Sequence, residues 1–478
     1  MDYEIVIGLE VHVHMKTQSK MFCGCSTEFG AEPNTHTCPV CLGMPGVLPV
    51  INKKAVELAV AAALALKCEK IEGKNVFSRK NYFYPDLPKN YQVSQYDMPL
   101  AEHGCVEISG KKIGVTRVHM EEDAGKLVHS GDGIEDSVYS LVDLNRTGTP
   151  LLEIVSEPQI NSPEEAYNYL ITLKQILQYA DISDCDMEKG SLRCDANISL
   201  RKKGEGLGVK AELKNMNSFK AVQDALSFEA KRQAEILVGG GRIIQETRLW
   251  SEKDRETYVM RSKEEAHDYR YFPEPDLVPL EIDSKWGEGI TNNLAEMPSA
   301  RRERSITEYG IPEYDAQVLT ASRDVGDYFE GCVRAGAAAK AVSNWIMTEM
   351  MGRLNESKVS ISQCRINPES LAQLLKLVEN GTISGKIAKE VFSEMFSTGK
   401  SAQELISSKG LTQITDEKEI AGIADKVIAE NPKTVNDYKA GNQNVLGFLI
   451  GQIMKASGGK ANPKLANKVL KGKLSATD

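Results

Sequence analysis

The feature that most constrains this 478-residue chain is a strict alternation of apolar and polar side chains at its start. One face of residues 3–14 would carry Ile5, Ile7, Leu9, Val11 and Val13, and the other would carry Glu10, His12 and His14. A repeat of two residues is the repeat of a β-strand. The pattern returns in residues 192–201 and 209–214, which predicts a hairpin with a long glycine-rich turn. We therefore expect a mainly antiparallel sheet with one apolar and one polar face.

Helical segments interrupt this region and then replace it. We predict helices over residues 53–66, over 162–180, where Ser162 opens a capping box with proline at the first helical position, and over 219–238. From about residue 297 helices with short polar loops dominate. The expected fold class is α+β, with a sheet-based domain over 1–292, an all-helical domain over 293–409 and a small helical tail domain over 410–478.

The charge and hydropathy of the chain exclude some classes of protein. A net charge of −9 argues against coating nucleic acid through bulk charge, although residues 431–478 carry eight Lys and two Asp. The longest apolar run, residues 58–66, is far shorter than the roughly 20 residues that cross a bilayer. No basic segment followed by an apolar core opens the chain. We expect a cytoplasmic protein that does not contact membranes.

Four of the ten cysteines are spaced like metal ligands. Cys23 and Cys25 form one close pair, and Cys38 and Cys41 form another after a gap of twelve residues. Two such pairs can close a tetrahedron of thiolates around Zn²⁺, and four ligands leave no open position for catalysis. We predict a structural zinc site; the alternative is four free thiols or a redox pair.

Acidic and imidazole side chains recur on the predicted polar strand faces. The candidates for a cation site are Glu10, His12, Glu122, Glu153, Asp195 and Glu212. Mg²⁺ takes carboxylate oxygens and bridges them to phosphates, and nearby cations would clamp the phosphate oxygens. Candidate clamps are Arg117, Arg193, Lys210 and Lys214. The alternative is a solvated sheet face with cross-strand ion pairs. The chain has no Walker A loop, so a nucleotide site must be of another design.

Two stretches interleave cations with aromatic rings. They are residues 79–86, which continue to residue 92, and residues 268–275. Stacking combined with positive charge is how proteins hold unpaired nucleotides. The alternative is a loop whose tyrosines pack at the surface.

Eight ordered strings together resemble the aspartyl/glutamyl-tRNA(Asn/Gln) amidotransferase B subunit family. They are IGLEVH at 7–12, residues 79–86, HMEEDAGK at 119–126, LNRTGTPL at 144–151, GSLRCDAN at 190–197, KAELKN at 210–215, residues 268–275 and GQIMKA at 451–456. The likeness covers the chain from end to end.

The resemblance implies a fold and a reaction. It implies a catalytic "cradle" domain, a helical domain and a tail domain that binds tRNA. The implied substrate is misacylated Glu-tRNA(Gln), Asp-tRNA(Asn) or both. ATP phosphorylates the side-chain carboxylate, and ammonia from glutamine, released by the partner amidase (the A subunit), displaces the phosphate. A small C subunit would complete a heterotrimer.

The resemblance also carries site residues onto this chain. It places a Mg²⁺ and ATP site at Glu10, His12, Glu122 and Glu212, with Glu153 and Asp195 as weaker matches. It implies that the zinc pairs are not essential to the chemistry. Lys80 and Lys89 are candidate lining residues of an ammonia passage.

Two other functions are compatible with parts of the sequence. A zinc-dependent hydrolase would use His12, His14 and the carboxylates, although the chain has no HExxH string. A non-catalytic tRNA-binding scaffold protein would use the basic tail and the aromatic stretches.

Overall fold

The alternating pattern at the start of the chain forms one long strand near the middle of a twelve-stranded sheet. All strands of the described residues are β1 (Tyr3–His14), β2 (Lys70–Ile71), β3 (Lys74–Asn75), β4 (Ser78–Asn81), β5 (Tyr91–Ser94), β6 (Ala101–Ile108), β7 (Lys111–Glu122), β8 (Lys126–His129), β9 (Ser140–Asp143), β10 (Pro150–Ser156), β11 (Leu192–Lys202), β12 (Ala211–Lys214), β13 (Glu246–Ser251), β14 (Glu256–Ser262), β15 (Phe272–Pro273) and β16 (Leu280–Glu281). The pairs β3–β16 and β8–β9 form separate two-stranded sheets.

The computed structural model describes residues 3–130, 137–262, 269–411, 416–439, 442–458 and 460–475. The chain divides into two compact units, Met1–Pro298 and Ser299–Asp478. Asp268, which opens the second predicted aromatic stretch, lies outside the described residues. None of the described helices is long and apolar enough to cross a membrane.

The large sheet has the order β14-β13-β12-β11-β1-β10-β7-β5-β4-β15, and β6 and β2 branch from β7. Its pairs are antiparallel except β12 with β13, which run parallel. A parallel pair needs a long crossover connection, and helix α3 (Phe219–Val238) supplies it. The predicted hairpin of β11 and β12 is confirmed, with Ala196 opposite Leu213.

Three helices cover the apolar face of the sheet: α1 (Lys53–Ala65), α2 (Pro163–Tyr179) and α3. Val11 of β1, Leu170 of α2 and Val222 of α3 are fully buried in one hydrophobic cluster. The side-chain oxygen of Ser162 accepts a hydrogen bond from the backbone N–H of Glu165, as the predicted cap requires. Because the helices occupy one face, the polar side chains of β1 must face the other side. Helix α4 (Ser284–Asn293) packs against α1.

The second unit is helical. It contains α5 (Pro298–Thr307, which begins at the last residue of the first unit), α6 (Glu313–Leu319), α7 (Arg323–Arg334), α8 (Ala339–Trp345), α9 (Met351–Ser357), α10 (Pro368–Glu379), α11 (Gly385–Thr398), α12 (Ala402–Lys409), α13 (Glu417–Glu430), α14 (Pro432–Lys439), α15 (Leu446–Ala456) and α16 (Pro463–Ser475). A short π-helix (Ile346–Met350) joins α8 to α9, and short 3₁₀-helices occupy Ile361–Gln363 and Gln443–Val445. One buried cluster runs from Ile311 to Ile406, and another from Ile420 to Leu474.

The α+β class with a mainly antiparallel sheet and a following helical region is therefore confirmed. The boundary between the two compact units falls after Pro298 in the chain. The three-domain division at residues 292 and 409 stays a prediction.

Candidate active site

The strand register gathers charged side chains from four strands on the open face of the sheet. His12 of β1 lies opposite Glu153 of β10 on one side and opposite Arg193 of β11 on the other. Glu153 in turn lies opposite His119 of β7. Residues directly opposite each other across antiparallel strands have Cβ atoms only about 5 Å apart, so these side chains form one continuous row.

Glu153 is the centre of this row. Its Oε2 lies 3.2 Å from His12 Nε2 and 3.7 Å from His119 Nε2. Glu10 Oε1 lies 3.8 Å from His12 Nε2, and Glu121 Oε1 lies 3.1 Å from His119 Nε2. We call these five residues the histidine–carboxylate cluster.

Two groups within the cluster could each hold a metal ion. Glu10, His12 and Glu153 form one group, and His119, Glu121 and Glu153 form the other. In each group the possible ligand atoms lie within 4.8 Å of one another. Mg²⁺ prefers ligands that are all oxygen, whereas Mn²⁺ also accepts an imidazole nitrogen beside carboxylate oxygens. The donor set therefore fits a divalent cation bound between the strands.

Burial and close charges shift the pKa values of several cluster side chains. Burial alone raises the pKa of Glu153, but the charge of His119 and the hydrogen bond to His12 outweigh it and hold that pKa below its usual range. Burial, followed by the charge of Glu153, raises the pKa of Glu10. For His12, burial lowers the pKa, but the hydrogen bond and charge of Glu153 leave it raised. Carboxylates crowded in this way gain from a nearby cation.

The two predicted arginine clamps lie in different places. Arg117 Nη2 donates to Glu153 Oε1 at 3.3 Å, so Arg117 borders the cluster. Arg193 Nη2 donates at 2.6 Å to Asp123, which also contacts His14 and Arg146. Within the described residues, Arg117 Nε, Arg193 Nε and His119 Nδ1 are buried without a hydrogen-bond partner. Unpaired buried polar atoms of this kind are expected where a ligand binds.

Asp195, Glu212 and Lys214 form a chain beside the cluster. Asp195 lies opposite Glu10 in the register, and Lys214 pairs with Asp195 and also lies 3.3 Å from Glu212. Glu212 accepts a hydrogen bond from Thr247 at 2.8 Å. The structure thus brings Asp195 next to Glu10, and Lys214 links Asp195 to Glu212.

Glu122 does not join the predicted ligand set in this structure. Its carboxylate pairs with Lys89 and accepts a hydrogen bond from the backbone N–H of Val93 at 3.0 Å. It lines a separate cavity of about 270 Å³ with Cys41 and Gly148. Consecutive strand residues face opposite sides, so Glu121 rather than Glu122 lies beside His119. The convergence of Glu10, His12, Glu122 and Glu212 on one cation stays a prediction.

His119 and Glu121 were not among the predicted cation ligands. In the structure β7 continues through Glu122. Arg117, His119 and Glu121 then alternate onto one face, and Glu122 falls on the other. This alternation is visible in the sequence, but it places Glu121 on the open face only once the strand is known to extend through Glu122.

The four predicted zinc ligands do come together. The Sγ atoms of Cys23, Cys25, Cys38 and Cys41 all lie within 4.8 Å of one another, and those of Cys38 and Cys41 are 3.9 Å apart. A tetrahedron with Zn–S bonds of about 2.3 Å has edges of about 3.8 Å. The hydrogen bond from Cys23, together with the Lys20 charge, lowers the pKa of Cys41 to about 4. The group can hold a metal, and its donors fit structural zinc.

A cavity opens beside Glu10 on the same face of the sheet. About 260 Å³ in volume, it is lined by Gly8 and Glu10 of β1 and by Asn197 of β11, and Gly208 and Lys210 also border it. The Asn197 Oδ1 atom is buried without a partner among the described residues. Lys210 therefore lies at this cavity rather than in the cluster.

Comparisons with known proteins agree with this architecture. The "GatB/GatE catalytic domain" family model matches residues 5–288, and the "GatB domain" model matches residues 327–474. The chain is 59% identical to the aspartyl/glutamyl-tRNA(Asn/Gln) amidotransferase B subunit of Carboxydothermus hydrogenoformans, over 99% of both chains. Proteins of the same name are 57% identical in Thermoanaerobacter sp. strain X514, over 99% of this chain and 100% of the relative, and 54% identical in Persephonella marina, over 98% and 99%. The chain therefore belongs to the aspartyl/glutamyl-tRNA(Asn/Gln) amidotransferase B subunit family.

Proposed function

We propose that this chain is the component that activates the side-chain carboxylate of Glu-tRNA(Gln), Asp-tRNA(Asn) or both with ATP. The observation that carries the proposal is the buried histidine–carboxylate cluster, in which one carboxylate, Glu153, contacts two histidines and an arginine. On a solvated sheet face the charged side chains would be exposed to water, whereas Glu153 and His119 are buried. A divalent cation held there would supply charge neutralisation for phosphate oxygens.

The two steps consume ATP and ammonia and release ADP, phosphate and the amide. A side-chain carboxylate oxygen of the aminoacyl group attacks the γ-phosphorus of ATP, the bond to the β-phosphate oxygen breaks, and ADP leaves. Ammonia then attacks the resulting acyl phosphate, the C–O bond to phosphate breaks, and the product is the amide. Phosphorylation is needed because a free carboxylate is a poor acylating agent.

The cavity beside Glu10 is the place that we assign to ATP. It borders Glu10 at one end, and Lys210 contributes a positive charge to its lining. Arg117, which donates to Glu153, is placed to neutralise charge on the transferred phosphoryl group.

The ammonia source in this proposal is the partner amidase, and a small third protein completes the heterotrimer. Lys89 and Glu122 pair inside their own cavity, away from the histidine–carboxylate cluster. We assign this cavity to the passage of ammonia, which would separate the two chemical steps in space. The excess of lysine in residues 431–478 supports the tail as a phosphate-binding surface for tRNA.

The test uses the complex of this chain with the amidase and the small third protein. The wild-type complex should convert misacylated Glu-tRNA(Gln) with glutamine and ATP. Glu153→Gln should lower Glu-tRNA-dependent ADP release by about 10³-fold, the usual scale for losing a transition-state electrostatic interaction. Glutamine hydrolysis by the amidase should persist.

The matched control is Glu107→Gln, which changes an exposed glutamate of β6 and should leave every rate unchanged. Full activation by Glu153→Gln would rule out the cluster as the active site. A complex that binds tRNA but never releases ADP would favour the scaffold function instead. Chelator-sensitive hydrolysis by the isolated chain would favour the zinc hydrolase.

A further inference from the structure

Four tyrosines gather beside the histidine–carboxylate cluster. The rings of Tyr96 and Tyr271 stack with centroids 5.2 Å apart and an angle of 14°. Tyr269 meets Tyr271 edge to face at 6.0 Å, and Tyr82 meets Tyr269 in the same way at 6.0 Å. Two of them follow β4 and β5, and the other two precede β15, so the fold assembles rings from distant segments. We call this group the tyrosine recess.

The recess borders the cluster directly. The Tyr96 ring lies edge to face with His119 at 6.4 Å. The Arg117 guanidinium lies 4.2 Å from the centre of the Tyr96 ring while it donates to Glu153. A molecule stacked on these rings would therefore have its next group within reach of the cluster carboxylates.

Lys80 lies between the recess and the cluster. Its Nζ is 5.0 Å from the centre of the Tyr269 ring, and it faces the carboxylates of Glu121 and Glu153. Among the described residues Lys80 has no acidic partner within 4.0 Å. The charges of Glu121 and Glu153 outweigh the effect of burial on Lys80, so its side chain stays positively charged and can meet an anion of a ligand.

Part of the aromatic surface of the recess is exposed to solvent. Tyr96 keeps 42% of its surface exposed, and Phe83 in the adjoining loop is 81% exposed. Flat aromatic surface combined with cations is the composition that holds unpaired bases, because every base has a face that stacks. The open side of the recess also admits a chain end that remains attached to a large molecule.

We propose that the tyrosine recess holds the 3′-terminal adenosine of the aminoacylated tRNA, with Lys80 facing the carboxylate of the attached amino acid. The proposal rests on the proposed function and adds to it the subsite for the aminoacyl end. The cavity beside Glu10 lies across the cluster from the recess, because β11 and β7 flank β1 and β10 on opposite sides. ATP and the aminoacyl end would thus approach the cluster from opposite sides.

The first measurement is of binding. Glu-tRNA carrying 2-aminopurine as its terminal base is added to the complete complex. Stacking should quench the fluorescence with the wild type and with Tyr96→Phe and Tyr271→Phe. The double change Tyr96→Leu with Tyr271→Leu should abolish the quenching and weaken binding about tenfold, the usual scale for losing a base stack.

The second measurement separates the substrates kinetically. The leucine variant should raise KM for Glu-tRNA about tenfold while KM for ATP stays unchanged. Tyr258→Leu is the matched control, because Tyr258 is 50% exposed on β14 at the opposite edge of the sheet. Unchanged thermal unfolding and glutamine hydrolysis check that the variants are folded.

The outcomes are distinct. A rise in KM for ATP alone would overturn the proposal and give the recess to the adenine of ATP. Unchanged KM for both substrates would also overturn it and leave the tyrosines as packing. Failure of the wild-type complex to release ADP with Glu-tRNA would instead refute the proposed function, so the two failures cannot be confused.

Discussion

The orientation of two adjacent glutamates decides which residue faces the cation site. Glu121 accepts hydrogen bonds from Gln92 at 2.8 Å and Ser94 at 2.7 Å and lies beside His119. Glu122 points to Lys89 on the other side of the strand. The same dipeptide therefore provides one side chain to each of two separate places.

A pair of single substitutions follows from this orientation. Glu121→Gln should weaken cation-dependent activation, measured as ADP release with Glu-tRNA at increasing Mg²⁺ or Mn²⁺. Glu122→Gln should keep that activation and instead impair transfer of ammonia, measured as amide formed per ADP released. The family resemblance places Glu122 in the Mg²⁺ and ATP site, so an equal loss of ADP release in the two variants would favour that assignment.

Glu330 of α7 provides a prediction about acid stability. It accepts hydrogen bonds from Arg301 at 2.8 Å and Arg304 at 2.7 Å. Burial raises the pKa of Glu330, but the two arginines outweigh it and hold that pKa below its ordinary value of 4.5. The stabilisation is therefore complete above the unfolded-state pKa and is lost as the pH falls through the lower folded-state pKa.

At neutral pH, Glu330→Gln should lower the free energy of unfolding by about 2 kcal/mol, because it removes the charged acceptor that both arginines share. Urea unfolding from about pH 7 to about pH 3 should show the gap between wild type and variant closing below about pH 4.5. Glu308→Gln is the control, since its side chain is 60% exposed and lies 3.8 Å from Arg304. A gap that stays constant with pH would contradict the assignment.

At the scale of elements, the cysteine loop is the clearest unit. Residues 15–52 contain no helix or long strand, so turns and isolated contacts supply their backbone hydrogen bonds. A metal that binds four thiolates supplies what secondary structure does not.

We expect the purified chain to contain about one zinc ion, measured by elemental analysis. Cys38→Ser should remove most of the zinc and lower the unfolding temperature while ADP release persists under stabilising conditions. Cys332→Ser, at a buried cysteine of α7, controls for loss of a thiol in a core. Full zinc retention by Cys38→Ser would exclude this site.

At the scale of the whole molecule, we expect the basic C-terminal segment to set how tRNA binding responds to salt. Lys464 and Lys471 are exposed on α16, and Asn462 caps that helix by accepting from the N–H of Lys464 and of Leu465. Removing one lysine that binds a phosphate should reduce the salt dependence of tRNA binding by about 0.9 in logarithmic slope.

Lys464→Gln with Lys471→Gln should therefore weaken tRNA binding at low salt and lower that slope by about two, measured with the full complex. Lys386→Gln with Lys400→Gln, at exposed positions earlier in the same unit, should change neither. An unchanged slope in the first variant would separate the tail from phosphate binding.

The sequence by itself determined the local structure of this protein. The period of two at β1, the cap at Ser162 and the spacing of the cysteine pairs each depend on residues close together in the chain. The end of a strand and its register depend on partner strands, and these lie far away in sequence: His12 meets Glu153 only because β1 pairs with β10. Only the tertiary structure therefore decided that Glu121 faces inward, that His119 completes the cluster and that distant tyrosines form one recess.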